Sequence, residues 1–75
     1  MIISAFTEIE LEFYRQTCNF VGDERDLFEM RSEGIPLEAI AEELNLTFDA
    51  VKKKSQKVNN KIKRVRSTFE ALTLH

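Results

Sequence analysis

The chain has 75 residues, 43% hydrophobic and 32% charged, with a formal net charge of −2. That length allows one small domain, residues 1–75, whose core is only marginally able to hold it folded alone. A single cysteine, Cys18, excludes an internal disulfide, and with one histidine, His75, no zinc ligand set assembles, so no metal or other cofactor is expected. Met1-Ile2-Ile3 is too short an apolar start for a signal peptide and no apolar run approaches a membrane span, which points to a cytoplasmic protein without a membrane partner.

Taken in order, Thr7-Glu8-Ile9-Glu10 reads as a capping box that starts a first helix running from about Glu8 to Cys18. Ile9, Phe13, Thr17 and Phe20, joined by Phe6, share its expected packed face, which Leu11, Tyr14 and Cys18 widen. Asn19 to Asp23, with Gly22 inside it, is a turn. Asp23 or its neighbour caps a second helix through about Glu33, and Gly34 suits the left-handed residue that ends it. Pro36 is allowed in a first helical turn, after which Leu37, Ile40, Ala41 and Leu44 form the apolar face of a short third helix. That helix stops near Asn45, a residue that tolerates positive φ.

Thr47 is a good N-cap, and neither Gly nor Pro follows it, so one long fourth helix is allowed from there to about Leu72. Its apolar positions are Val51, Val58, Ile62, Val65, Phe69 and Leu72, which fall in an arc roughly 80° wide at about 100° per residue. Lys52, Lys53, Gln56, Lys57, Asn60, Lys63 and Arg64 point the other way. Ser67 with Glu70 forms a second possible capping box, so the alternatives are four helices or five. The continuous helix is the favoured one, and the fold class is all-α either way.

The small net charge conceals a segregation. Residues 1–50 hold 12 acids against 3 bases, a net of −9, whereas residues 51–75 hold 8 bases against 1 acid, a net of +7. A basic helix set apart in this way is the electrostatic footprint of a site for a polyanion. The bland reading is a solvated polar face, and the acidic half of another copy would be attracted as well.

Small Ala41, the turn residue Asn45, Leu46, and Val51 ten residues after the alanine have the spacing of a helix-turn-helix, whose second helix enters the DNA major groove. With Glu24-Arg25-Asp26-Leu27-Phe28, Gly34, Ile40-Ala41, Leu44, Leu46-Thr47, Val51-Lys52, Val58 and Lys61-Ile62 included, residues 23–66 resemble the helix-turn-helix domain of LuxR/GerE-type regulators and of region four of bacterial sigma factors. Leu37-Glu38-Ala39-Ile40-Ala41-Glu42-Glu43-Leu44 is similar to the sigma version. The opening through Cys18-Asn19-Phe20 and Asp23-Glu24-Arg25 resembles small stand-alone prophage regulators. Residues 1–20 then form an added N-terminal helix and turn, and residues 67–75 a C-terminal extension.

The resemblance implies a sequence-specific or semi-specific binder of double-stranded DNA, a transcriptional regulator with a recognition helix over about 48–60. By position it places Thr47, Phe48, Asp49, Lys52, Lys53 and Gln56 at base edges or the groove wall. Lys54, Lys57, Lys61 and Arg64 would meet phosphate. Asn45 stands where the family has a glycine and Ala50 where a threonine is common. No receiver, ligand-sensing or other sigma domain accompanies the motif, so its control is expected to lie outside the chain.

Two further expectations concern partners. The spacing of Val58, Ile62, Val65, Phe69 and Leu72 alternates four and three, which lets two helices share a seam and predicts a homodimer. The competing arrangement folds these residues back onto Phe6, Ile9 and Phe13 of the same chain. The alternative class of function is a protein-interaction module, a partner of RNA polymerase or of a phage or regulatory protein. No enzyme is expected, because no carboxylate pair, Cys/His couple or Gly-rich phosphate loop lies in an activating setting.

Overall fold

The chain makes four helices, α1 (Glu8–Thr17), α2 (Asp23–Ser32), α3 (Leu37–Glu43) and α4 (Phe48–Thr73), preceded by one 3-10 turn over Ile3–Ala5. The computed structural model describes residues 2–73, without the side chain of Thr73; Met1, Leu74 and His75 lie outside the described residues. No strand is present among the described residues, and none of their helices is long and apolar enough to cross a membrane.

Four of the helix ends are made by local hydrogen bonds. The Thr7 side chain accepts from the Glu10 amide at 3.2 Å, and the Glu10 carboxylate accepts from the Thr7 amide at 3.0 Å, so both halves of the capping box form. At the end of α2, Gly34 takes φ +83°. There the Ile35 amide donates to the Met30 carbonyl at 3.1 Å and the Gly34 amide to the Arg31 carbonyl at 3.0 Å. At the end of α3, Asn45 takes φ +57°, with Leu46 donating to Ala41 at 2.9 Å and Asn45 to Glu42 at 3.2 Å. Both ends are therefore Schellman motifs, in which a left-handed residue turns the chain and satisfies two orphan carbonyls. Thr47 then caps α4, its hydroxyl accepting from the Ala50 amide at 3.1 Å.

The 26 residues of α4 run on without a break at Ser67. At 1.5 Å per residue the helix is about 39 Å long, close to the 42 Å long axis of the molecule, which is only 18 Å across in the other two directions. α1, α2 and α3 all pack on it, and α2 also carries the 3-10 turn. Val51, Val58 and Ile62 of α4 are fully buried, in a core shared with Leu27 and Phe28 of α2, Ile40 and Ala41 of α3, Leu11 and Tyr14 of α1, and Cys18 just after α1.

Two expectations from the sequence are corrected here. The inward face of α1 is Leu11, Tyr14 and Cys18, while Ile9 is 74% exposed and Thr17 lies on the surface. Apolar residues cover about half the circumference of α1, so periodicity leaves the rotation open. The rotation is set by Arg15, whose Nε and Nη2 clamp both carboxylate oxygens of Glu29 on α2 at 2.7 and 2.9 Å, and by Phe13 against Phe69 of α4, ring centroids 5.0 Å apart.

The second correction concerns the seam assigned to a partner chain. Val58 and Ile62 are wholly buried inside the subunit, and Val65 packs half-buried on the same core. Phe69 folds back onto α1, 5.0 Å from Phe13 and 6.1 Å from Tyr14. Phe13 and Tyr14 meet Phe69 while Cys18 lies within electrostatic reach of Lys61, so α1 runs antiparallel to α4 and covers its C-terminal half. Of the five seam residues only Leu72, 65% exposed, is left for anything else.

Among the described residues Tyr14 is the largest fully buried side chain, and its hydroxyl has no hydrogen-bond partner among them. Burial pushes its pKa up, the expected response of a phenol kept out of water. An orphaned buried hydroxyl costs roughly 1–3 kcal/mol, whereas the ring itself packs at a tilt against Phe6 and Phe69. Tyr14→Phe should therefore raise stability by about 1 kcal/mol in urea unfolding; a loss of similar size would show that the hydroxyl is satisfied in solution.

Candidate functional site

The same rotation that buries Val51, Val58 and Ile62 turns a cationic surface outward. Lys52, Lys53, Lys57, Lys63 and Arg64 are exposed, and Lys54 is half-buried at the edge of the core stripe. The salt bridges among the described residues are Arg15 with Glu12 and Glu29, Lys61 with Glu24, and Arg66 with Glu70. Lys52, Lys53, Lys54, Lys57, Lys63 and Arg64 are in none of them. Six cations outside those salt bridges therefore lie along about four turns of one helix, five of them on exposed residues.

At the N-terminal end of this surface lies an open groove between α3 and α4, lined by Leu37, Asp49, Lys52, Lys53, Ser55 and Gln56. Its two walls are held by the tight turn of Leu44–Thr47, so their relative position is fixed by the Schellman motif and the Thr47 cap described above. Phe48, the first residue of α4, is 42% exposed. The Lys52 ammonium stands 5.7 Å from the centre of its ring, a cation-π contact. Thr47, Phe48, Asp49, Lys52, Lys53 and Gln56 are thus brought together at one end of α4; Ser55 joins them, as does Leu37, which the sequence assigned to the apolar face of α3.

Lys61 does not belong to the exposed set, contrary to the sequence expectation that it meets phosphate. Its ammonium donates to a carboxylate oxygen of Glu24 on α2 and, at 3.1 Å, to the carbonyl of Asn19. Only 22% of the Lys61 side chain and 8% of the Glu24 side chain are exposed. Glu24 also accepts from the Val21 amide at 3.2 Å, so one carboxylate closes the α1–α2 turn and fastens that turn to α4. Asn19, held at φ +52°, aims its carbonyl at the same ammonium. Nothing local in Asp23-Glu24-Arg25-Asp26 distinguishes Glu24 from its acidic neighbours, and its partner lies 37 residues away.

The titration of Glu24 reflects competing effects. Burial pushes the carboxyl up, but the Lys61 hydrogen bond, the Val21 amide and the charges of Lys61 and Lys57 outweigh it and leave the pKa below the ordinary 4.5. Cys18, next to Asn19 in the chain, has its thiol pushed up to about 11 by burial, opposed by the charge of Lys61. It is a protonated core residue at neutral pH.

In comparisons with family models, with curated proteins and with solved structures, nothing matches this chain.

A carboxylate whose folded pKa is depressed contributes stability that is complete above its ordinary value and is lost as the pH falls through the lowered one. Melting temperature should therefore stay level down to about pH 5 and drop below it. Glu24→Gln should soften that drop and, by leaving Lys61 without its counter-charge, reduce stability at pH 7 by about 1–3 kcal/mol. An unchanged acid limb in the variant would mean that other carboxylates carry the effect.

Proposed function

We propose that this chain binds duplex DNA through α4 and acts as a regulator of transcription. The observation that carries the reading is the row of exposed cations on α4, in no salt bridge among the described residues, standing opposite a stripe that the core consumes. A solvated helix face needs no such bias: α1, α2 and α3 keep mixed or acidic surfaces. The resemblance of residues 23–66 to LuxR/GerE-type and sigma region-four domains supports the same assignment and suggests that α4 enters the major groove.

In this reading the turns of α4 divide the work. Lys57, Lys63 and Arg64, with Lys54 at the margin, supply phosphate contacts that set affinity and orientation. Thr47, Phe48, Asp49, Lys52, Lys53 and Gln56 lie around the groove and reach base edges or the groove wall, where Gln56 suits adenine and Asp49 suits the amino group of cytosine. Lys61 has no phosphate to neutralise, because Glu24 holds it.

A second reading rests on the acidic side of the molecule. Met30, Ile35, Ala39 and Glu43 line another open groove, between α2 and α3, and an apolar floor beside a carboxylate suits a protein partner, with RNA polymerase or a phage protein as candidates. Salt-dependent retention on duplex DNA separates the two.

About four or five neutralised phosphates should give a log-log salt slope of roughly −4, measured by fluorescence anisotropy on a labelled duplex. No binding at low salt, or binding indifferent to salt, would remove the proposal. Lys53→Ala and Gln56→Ala should each weaken binding with an unchanged melting temperature, since both side chains are exposed. Lys61→Ala should do the reverse, lowering the melting temperature while leaving the salt slope as it was.

A further inference from the structure

Phe48 is a large apolar side chain that the fold leaves at the surface although the core lies one turn away. It opens α4, and Lys52 and Ser55 follow it at spacings of four and three, along one side of the helix. Lys52 and Ser55 line the α3–α4 groove, and the Lys52 ammonium is 5.7 Å from the Phe48 ring centre, so the ring stands at the groove's rim with a cation beside it.

We infer that Phe48 and Lys52 together read thymine, the ring packing on the 5-methyl group and the ammonium donating to O4. This rests on the DNA-binding reading above and gives it a base preference. In the major groove thymine presents a methyl group next to a carbonyl acceptor, the apolar-plus-acceptor pair that a phenyl ring and an ammonium complement. Cytosine presents an amino donor and no methyl, so the ammonium meets a like partial charge and the ring meets nothing. Adenine and guanine place no methyl at that edge. Leu37, half-buried across the groove, keeps the opposite wall apolar too.

The full chain is used to select bound sequences from random duplex DNA, and the best duplex is remade with deoxyuridine or with 5-methylcytosine at each selected thymine in turn. At one thymine, deoxyuridine should weaken binding about fourfold, the worth of one buried methyl-sized group. 5-Methylcytosine there, with guanine opposite, keeps the methyl but exchanges the acceptor for a donor and should also bind more weakly than thymine. Phe48→Ala should bind the thymine and deoxyuridine duplexes equally while keeping the wild-type salt slope. Equal binding of the two duplexes by the wild-type protein overturns the inference, as does a difference that survives in Phe48→Ala; neither touches the DNA-binding reading. Failure to bind any duplex at low salt overturns both.

Discussion

Val51, Val58 and Ile62 are fully buried on a helix that spans nearly the whole long axis of the molecule, and every other helix packs against that one stripe. α4 is therefore the floor of the core as well as its longest element. A domain this small buries too little surface to stand on scattered contacts. Concentrating the apolar residues of α4 into a narrow arc lets α1, α2 and α3 all pack on it, with α1 covering its C-terminal half. The remaining circumference of α4 is then free of any packing duty, which is why cations can crowd there without disturbing the core.

The two halves of the charge pattern meet at one place. Lys61 is the cation that leaves the exposed row, and Glu24 is the carboxylate that leaves the acidic surface; each is withdrawn from water to hold the α1–α2 turn on α4. A part-buried pair of this kind gains little net stability over apolar packing but makes misregistration expensive, because a displaced Glu24 or Lys61 would be a buried charge without its partner. Its position about one and a half turns beyond the groove residues Gln56 and Ser55 ties the proposed recognition end of α4 to a fixed frame.

Rigidity at the other end comes from the backbone. The Schellman motif at Asn45 and the Thr47 cap leave no free residue between α3 and α4, so the walls of the groove lined by Leu37 and Gln56 cannot separate without breaking those bonds. In the proposed function such preorganisation spares the ordering entropy that a flexible recognition element would lose on binding.

What the sequence by itself determined is local. Thr7, Gly34, Asn45 and Thr47 mark helix ends through hydrogen bonds and φ preferences that reach no more than about five residues, and the stripe of α4 follows from helical periodicity, as does the cationic face opposite it. What only the tertiary structure decided is who covers whom. Periodicity shows that Val58, Ile62 and Phe69 must be covered, but a neighbouring chain and α1 satisfy that requirement equally until the packing of Phe13 and Tyr14 selects α1. The same holds for α1, where the clamp of Arg15 on Glu29 turns Leu11 and Tyr14 inward and Ile9 out. It holds again for Lys61, chemically indistinguishable from Lys57 until the fold sets Glu24 and Asn19 beside it. The local signals act within one or two turns of chain, whereas the choice of partner is a competition among faces that only meet once the chain has closed on itself.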